Sequence, residues 1–284
     1  MKIVISGCKG FIGSKLTKTL DEKKNFEIKC LDIRSGQDVT NIKIMNKLDK
    51  FDVFIHLAAK SYVPESFKNP HSFYDVNMNG TLNALELCRK YNGRMIFISS
   101  YVYGKPEYLP INEEHPLHAF NPYAQSKLIG EMLCEGYHRD FNVPSTILRP
   151  FNIYGNGQSK SFLIPTILSQ IKNGNSTIHL KDPNPRRDYV HIDDVVNAIL
   201  LSIYNNHTGI IYYNVASGKS YSVFEVTEII KKVLEPTQEI NFTFSPNTVR
   251  KNEVLETVGS YDKINRELGW KPEISFYDGI TRCL

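Results

Sequence analysis

Short apolar runs alternate with longer amphipathic stretches through the first half of this 284-residue chain. Each run has four to six residues, which is typical of a strand buried on both faces of a sheet. Such strands are predicted over 2–6, 27–31, 52–56, 95–98 and 143–148. Because helical patterns fill the intervals, we expect an α/β fold with a parallel sheet and right-handed crossovers.

Past Pro150 the hydrophobic pattern becomes irregular, with proline-rich turns between short elements. A helix is predicted from Asp193, a strand over 212–216 and a further helix over 223–234. Neither a linker composition nor an internal repeat separates the two halves. We therefore expect a larger unit with a smaller lobe woven into it. The larger unit is 1–151 with 188–217, and the lobe is 152–187 with 218–284.

Composition and charge narrow the class of protein. A hydrophobic content of 41% with 23% charged residues is typical of a globular protein, and a net charge of +4 is too small over this length to favour nucleic acid. Without an apolar run of membrane-spanning length or a signal peptide, a cytoplasmic protein with no membrane partner is expected. The five cysteines form no CxxC pair, which predicts reduced thiols and neither a disulfide nor a metal framework. They are Cys8, Cys30, Cys88, Cys134 and Cys283.

The stretch 121–127 carries the clearest candidate chemistry, because Tyr123 and Lys127 lie four residues apart. That spacing places both side chains on one face of a helix, and Asn121 followed by Pro122 is a suitable helix start. A free tyrosine, with a pKa of about 10, is a poor base at neutral pH, but a nearby ammonium lowers that pKa. The pair suits proton transfer with a hydroxyl group, although a packed ring beside a solvated amine has the same spacing.

Three glycines follow the first predicted strand, in the order Gly7, Gly10 and Gly13, and a helical pattern begins among them. A strand that runs through glycines into a helix is a phosphate-binding arrangement, because main-chain amides approach a pyrophosphate at the positive end of the helix. The spacing is GxxGxxG and not the general GxGxxG, and turn chemistry alone is the alternative. The position directly after a strand favours the phosphate site.

The second predicted strand ends in Asp32, nineteen residues after Gly13. A carboxylate there can accept hydrogen bonds from an adenosine ribose and repel a 2′-phosphate, which favours NAD over NADP. Arg34 weakens that preference, because it could meet a 2′-phosphate. Asp38 has two equal interpretations, namely a contact with adenine or a cap of the helix that begins at Ile42.

Further polar positions fall at or near the ends of predicted elements. His56 ends the third strand and is expected to be a satisfied core imidazole. Asn77 faces inward from a helix predicted over 72–91, where a packed side chain bonded to backbone is the alternative to a ligand contact. Ser99 and Ser100 follow the fourth strand, and hydroxyls at that end of a parallel sheet point into the ligand-binding crevice.

Together these features resemble the extended short-chain dehydrogenase/reductase family, the NAD-dependent nucleotide-sugar epimerases, dehydratases and reductases. The resemblance covers almost the whole chain and depends on the joint order and spacing of modest motifs. They are Gly7-x2-Gly10-x2-Gly13, the strand end at Asp32, His56-Leu57-Ala58-Ala59, Asn77-x2-Gly80-Thr81, Ser99 to Gly104, Tyr123-x3-Lys127, Arg149-Pro150-Phe151-Asn152 and Arg187-Asp188-Tyr189-Val190-His191. The resemblance implies a Rossmann-type doubly wound parallel sheet with a smaller interwoven α/β substrate-binding lobe.

The resemblance also implies roles for particular residues. Tyr123 would be the catalytic acid/base, and Lys127 would hold the nicotinamide ribose and depress the tyrosine pKa. Ser99, three residues before Val102, would orient the reacting hydroxyl, with Ser100 as the alternative. The residues implied to bind NAD are Gly7, Gly10, Phe11, Ile12, Gly13, Asp32, Ile33, Arg34, Asp38, Val39, Leu57, Ala58, Ala59, Asn77, Tyr123, Lys127 and Pro150.

A nucleotide-diphosphate sugar is the substrate that the resemblance implies. Guanidinium groups suit its diphosphate, because they stay charged and bond bidentately. For Arg187 a salt bridge with Asp188 is the alternative. The residues implied to contact this substrate are Ser99, Ser100, Asn152, Arg187 and Arg250.

The reaction class follows partly from a departure from the family pattern. Family dehydratases usually carry an Asp-Glu pair directly after the hydroxyl residue, where this chain has Ser100 and Tyr101, so elimination of water is disfavoured. An epimerase that acts at C4 of a UDP-hexose-like substrate through a transient 4-keto sugar is favoured by the stretch 63–66. A nucleotide 4-keto-6-deoxysugar reductase, favoured by the short loop 32–38, is the alternative to the preferred epimerase.

Two further expectations come from the family alone. A catalytically silent NAD-sensing protein on the same scaffold is an alternative, but such proteins typically lose the tyrosine or the lysine, and both are present. A homodimer is expected through the two long helices, 72–91 and 123–141.

Overall fold

The computed structural model describes residues 1–234, 240–245 and 254–284, and its centre is a parallel sheet. The strands are β1 (Lys2–Ser6), β2 (Glu27–Leu31), β3 (Val53–His56), β4 (Arg94–Ile98), β5 (Ser145–Pro150) and β9 (Ile210–Val215). Within the described ranges their order across the sheet is β2-β1-β3-β4-β5-β9. The order reverses at β1, because β2 pairs on one side of it and β3 on the other. A crevice is therefore expected at the carboxyl ends of β1 and β3.

Helices cover both faces of this sheet. The helices in the described residues are α1 (Phe11–Lys23), α2 (Ile42–Met45), α3 (Val63–Lys68), α4 (Pro70–Tyr74), α5 (Gly80–Tyr91), α6 (Pro122–Phe141), α7 (Leu163–Lys172), α8 (Ile192–Tyr204), α9 (Val223–Leu234), α10 (Asp262–Leu268) and α11 (Phe276–Thr281). On one face α1 and α8 pack together in a core that includes Leu16 and Val196. On the other face α5 and α6 enclose Leu85 and Cys134. The predicted doubly wound α/β fold is confirmed.

One strand and one helix differ from their predicted boundaries. Strand β5 begins two residues later than predicted, because Pro144 has no amide hydrogen to give the ladder and contributes only its carbonyl, which accepts from the Met95 amide at 2.9 Å. The helix predicted over 72–91 begins earlier and is interrupted by a π-helical turn over Asp75–Asn79. Such turns are frequent at functional sites, and this one carries Asn77.

Smaller sheets lie apart from the central one. Strands β6 (Asn152–Tyr154), β8 (Arg186–His191) and β10 (Ser220–Ser222) form one of them, in the order β10-β8-β6. Strands β7 (Thr177–Leu180) and β11 (Asn241–Phe244) pair in parallel in the other. The predicted division of the chain places residue 188 at a boundary, which falls inside β8, so the division into two units stays a prediction. None of the helices in the described ranges has the length and apolar character needed to span a bilayer.

The cysteines depart from expectation at one place. Cys8 and Cys30 form a disulfide, with their Cα atoms 5.7 Å apart, so the prediction of five reduced thiols is wrong for this pair. The contact arises because β1 and β2 pair in parallel with Ile5 opposite Cys30, which brings the turn after β1 over the end of β2. Cys88, Cys134 and Cys283 are free and buried, as predicted.

Candidate active site

Helix α6 begins as the sequence predicts. The Asn121 side chain accepts a hydrogen bond from the Ala124 amide at 2.8 Å, and Pro122 occupies the first turn, where its missing N–H is not needed. The helix then presents Tyr123 half-buried and Lys127 fully buried, one turn apart on the face toward the sheet.

The Tyr123 phenol is less acidic than expected. Burial raises its pKa to about 12, against an opposing hydrogen bond donated by Ser100. The predicted lowering of this pKa by Lys127 is therefore wrong here, because the net shift is upward. The Lys127 ammonium lies 4.5 Å from the centre of the Phe97 ring, and burial lowers its own pKa to about 8 against the opposing charge of Glu131.

The two neighbouring serines have different partners. Ser100 is half-buried and close enough to Tyr123 to lower its pKa, whereas Ser99 is buried and donates to the Glu131 carboxylate. Side chains alternate in direction along an extended segment, so adjacent residues at the end of β4 face opposite ways. Ser99, selected by counting back from Val102, is thus placed away from the phenol, and the alternative, Ser100, is the hydroxyl beside it.

The Ser99 side chain belongs to a buried polar cluster behind α6. Glu131 forms an ion pair with Arg149 at 2.6 Å, and Arg149 also donates to the Tyr103 hydroxyl at 3.0 Å. The Tyr103 hydroxyl bonds the Asn214 side chain at 2.5 Å. Sequence reasoning missed this cluster, although Glu131 one turn after Lys127 in a predicted buried helix was a signal.

The glycine turn has the geometry of an anion cradle. Gly7 has φ of +73°, and a Cβ on Gly13 would lie 2.1 Å from the Gly7 carbonyl oxygen. Helix α1 begins after Gly10 without a side-chain cap, so the amides of its first turn, at Phe11 and Ile12, remain available to a ligand. Because the donor set is a run of main-chain amides at a helix N-terminus, these residues fit a pyrophosphate.

The carboxylate at the end of β2 is held in place. Asp32 is buried and accepts from the amides of Lys9 and Arg34, each at 2.9 Å. These bonds fix the carboxylate beside the glycine turn, with Ile33 and Arg34 in the 3₁₀ turn that follows. The Arg34 guanidinium donates to the Lys9 carbonyl at 2.7 Å. The residues therefore fit an adenosine ribose at this edge.

The other residues predicted to bind the cofactor line the same edge of the sheet. A Cβ on Gly7 would lie 2.8 Å from the Ala58 amide, so the turn after β3, Leu57 to Ala59, passes close to the glycines. Asp38 accepts from the Thr40 amide and hydroxyl, and the helix that begins at Ile42 is capped by Asn41, so the capping role predicted for Asp38 is wrong. Val39 is buried, and Pro150 ends β5.

The side chains of Asn77 and His56 hydrogen-bond neighbouring elements at this edge of the sheet. Asn77 donates to the Lys60 carbonyl at 3.0 Å and to the Ser126 hydroxyl at 2.8 Å, which joins the turn after β3 to α6. His56 bonds Ser6 at 2.7 Å, and burial lowers its pKa to about 3, so it is neutral, as predicted for a core imidazole. Its Nε2 atom has no partner in the described residues, so the prediction of a core imidazole is confirmed but the prediction that it is satisfied is wrong at this atom.

Near Tyr123, residues from distant segments contact one another. The Tyr101 ring stacks on Phe151, and its hydroxyl donates to Asn152 at 3.1 Å. Asn152 in turn donates to the Asp188 carbonyl at 3.1 Å. Sequence reasoning predicted Asn152 but missed Tyr101 as a cleft residue, because their contact spans 51 positions.

The Asp188 carboxylate is a structural anchor. It is buried and accepts from Ser217, Gly218 and Gly259, and burial raises its pKa to about 6. Arg187 donates to the carbonyls of Arg186 and Val254. Arg250 lies outside the described residues.

A family model described as GDP-mannose 4,6 dehydratase matches residues 19–283. The chain belongs to this family. A protein of Methanocaldococcus jannaschii, provisionally named a UDP-glucose 4-epimerase, is 34% identical over 99% of this chain and 97% of that protein. The GDP-6-deoxy-D-mannose reductase of Pseudomonas aeruginosa is 32% identical over 100% of this chain and 96% of that protein.

Solved structures of family members agree with the fold. The UDP-glucose 4-epimerase of Thermotoga maritima with UDP-glucose has a TM-score of 0.91 and 27% identity, over 100% of this chain and 97% of that one. The RMD protein of Pseudomonas aeruginosa, complexed with NADPH, has a TM-score of 0.89 and 30% identity, over 100% and 97% of the two chains. The predicted family of nucleotide-sugar epimerases, dehydratases and reductases is confirmed.

Proposed function

We propose that this protein is an NAD-dependent nucleotide-sugar epimerase that acts at C4 of a UDP-hexose-like substrate. The observation that carries the proposal is the Tyr123 phenol, which lies one turn from the buried Lys127 on α6 and has Ser100 as the neighbour that opposes the rise of its pKa. The glycine cradle lies at the same edge of the sheet. The relative provisionally named a UDP-glucose 4-epimerase, at 34% identity, supports this choice of reaction.

The residues divide the work between proton transfer and positioning. Tyr123 takes a proton from the sugar hydroxyl and returns it, and Ser100 donates a hydrogen bond that stabilises the charge developing on oxygen. When bound, oxidised NAD supplies a hydride acceptor and a positive charge. Lys127 is mostly protonated at pH 7, because its pKa is about 8. An added positive charge favours the phenolate, so we expect the raised pKa of Tyr123 to fall when NAD binds.

The cofactor preference rests on Asp32. Its buried carboxylate is poised for two ribose hydroxyls and would repel a 2′-phosphate, which supports NAD. Arg34 is occupied by the Lys9 carbonyl, although a guanidinium at this place could turn toward a phosphate. Replacing Arg34 with Ala should leave the NAD dissociation constant within about twofold and weaken NADP binding, by loss of a charge-assisted contact.

A 4-keto-6-deoxysugar reductase is the second candidate. It is favoured by the reductase relative at 32% identity and by the short loop between Asp32 and Asp38. With Ser100 as the hydroxyl residue, the two positions after it are Tyr101 and Val102. Neither carries the carboxylate that a dehydratase would need, so elimination remains disfavoured. A silent NAD-binding protein is disfavoured by the complete set of Tyr123, Ser100 and Lys127.

Incubation with UDP-, GDP- and dTDP-sugars, with absorbance of reduced cofactor and product stereochemistry recorded together, tests the proposal. An epimerase gives the C4 epimer with no net change in reduced cofactor. Consumption of reduced cofactor one for one with a 4-keto sugar would establish the reductase instead. Binding of NAD without turnover of any sugar in the panel would contradict both.

We further propose a cytoplasmic homodimer. The location rests on the sequence composition. The dimer is supported by apolar side chains exposed on α5 and α6, namely Leu82, Met132 and Phe141. Light scattering that gave a monomer mass would refute the dimer.

A further inference from the structure

A disulfide lies directly behind the glycine cradle. Cys8 is in the turn between Gly7 and Gly10, and Cys30 is two residues before Asp32 on β2. The bond therefore joins the segment that carries the main-chain amides to the strand that carries the ribose carboxylate. Nothing in the proposed catalysis uses these two sulfurs.

We propose that Cys8 and Cys30 form a site of reversible thiol–disulfide exchange with a low-molecular-weight disulfide, and that closing the bond preorganises the glycine cradle. The second half of this statement rests on the proposed dinucleotide site. The first half does not, because it concerns only the two sulfurs and their access to solvent.

Access is provided by an open groove of about 660 Å³ beside α1, which both cysteines line. Cys30 is half-buried, whereas Cys8 is 3% exposed, so an incoming reagent meets Cys30 first. Charged side chains of both signs line the same groove. They are Lys9, Lys18, Asp21 and Glu22. This mixture suits a small thiol compound that carries both carboxylates and an amine.

The exchange is balanced without any other co-reactant. The Cys30 thiolate attacks one sulfur of the small disulfide and releases one thiol, which leaves a mixed disulfide. The Cys8 thiolate then attacks the Cys30 sulfur and releases the second thiol. Two electrons pass from the protein to the small disulfide, and the two protein protons end on the released thiols. Excess small thiol reverses both steps.

The remaining cysteines are poor competitors for this chemistry. Cys88, Cys134 and Cys283 are buried, and burial raises the pKa of each thiol. A thiol is reactive as its thiolate and only when a reagent reaches it. Exchange should therefore be confined to the Cys8–Cys30 pair.

The effect on the cradle should be moderate, because other contacts already hold it. The Gly7 amide donates to the Leu31 carbonyl at 2.7 Å, and the Lys9 amide donates to Asp32 at 2.9 Å. These bonds persist after reduction, so the reduced turn keeps its position but its backbone samples more conformations. Removing that freedom before binding improves affinity, by about threefold to tenfold for a short turn.

The experiment uses the full chain, oxidised with glutathione disulfide or reduced with a phosphine, and measures NAD affinity by calorimetry in both states. Peptide mapping after thiol alkylation should find a linked Cys8–Cys30 peptide in the oxidised sample only. The oxidised protein should bind NAD about threefold to tenfold more tightly. Cys30→Ser should remove the difference, and the matched control Cys283→Ser should retain it.

Several outcomes would overturn the proposal. Absence of the linked peptide in the wild-type protein refutes the exchange site without recourse to any variant. Equal NAD affinity in the two states, or a difference that persists in Cys30→Ser, refutes the effect on the cradle. If NAD binds in neither state, the proposed cofactor fails and the effect on the cradle with it, whereas a linked peptide still upholds the exchange site.

Discussion

The side of the site that we propose binds the dinucleotide and the side that we propose binds the sugar are held in shape by different means. On the dinucleotide side the determinants are main-chain groups, such as the Gly7 carbonyl over Gly13 and the amides that bond Asp32. On the sugar side they are side chains from distant segments, such as Tyr101 bonded to Asn152. A main-chain cradle admits few substitutions, whereas a side-chain surface can be altered piece by piece. The first side should therefore be invariant in its chemistry, and the second should set the substrate.

The largest effect is expected at the hydroxyl beside Tyr123. Ser100→Ala should lower turnover by about 100-fold to 1,000-fold, on the scale of a lost donor to a developing oxyanion, with unchanged thermal stability. Ser99→Ala should instead lower the free energy of unfolding by about 1 kcal/mol, because Glu131 loses one of its buried partners. Steady-state kinetics and urea unfolding of both variants decide between the serines. The reverse pattern would restore Ser99 to the catalytic role.

The main-chain cradle comes next. Gly13→Ala places a Cβ 2.1 Å from the Gly7 carbonyl oxygen, so the turn must move, and the dissociation constant for NAD should rise by about 100-fold. Gly136→Ala in α6 is the matched control, because its Cβ meets nothing within 4 Å, and it should bind NAD normally. Calorimetry measures both. Normal NAD affinity in Gly13→Ala would show that the dinucleotide does not use this turn.

A smaller effect is expected in the pH dependence of stability. Burial lowers the pKa of Lys127 from 10.5 to about 8, so between these values the unfolded chain holds one more proton than the folded chain. Stability contributed by this group is therefore lost as the pH falls through 8 and gained as it rises. From pH 8 to pH 10 the free energy of unfolding should rise by about 2 kcal/mol more in the wild type than in Lys127→Met.

Urea unfolding of the two proteins at pH 8 and pH 10, without cofactor, measures that difference. Tyr123 acts in the opposite direction only above pH 10, because its pKa is raised from 10 to about 12. An equal change in the free energy of unfolding of both proteins would contradict the lowered pKa of Lys127 in the folded protein.

The smallest effect is expected on the sugar side. Tyr101→Phe removes one hydrogen bond to Asn152 but keeps the stack on Phe151, so KM for the nucleotide sugar should rise by about fivefold, with NAD affinity unchanged. Kinetics with varied sugar and calorimetry with NAD separate the two sides. A change in NAD affinity would contradict the division of the cleft.

The contrast between local main-chain features and contacts between distant segments also explains which features could be predicted from the sequence. The strand and glycine pattern around Gly7 and the cap at Asn121 are local, so periodicity and spacing sufficed for them. The Cys8–Cys30 bond and the Glu131–Arg149 ion pair join segments that meet only in the folded sheet, and no local pattern indicates which residue pairs with which. The choice between Ser99 and Ser100 depended on a shift of one residue. Counting back from Val102 selected Ser99, whereas the structure places Ser100 beside Tyr123.

The acid–base role of Tyr123 is tested most directly by the turnover of Tyr123→Phe on the nucleotide sugar that the panel identifies. The variant keeps the ring and loses only the phenolic oxygen, so affinities for NAD and the sugar should remain within about twofold. Turnover should fall by about 100-fold or more, the scale of a general acid–base contribution. Turnover within tenfold of the wild type would contradict proton transfer by this phenol.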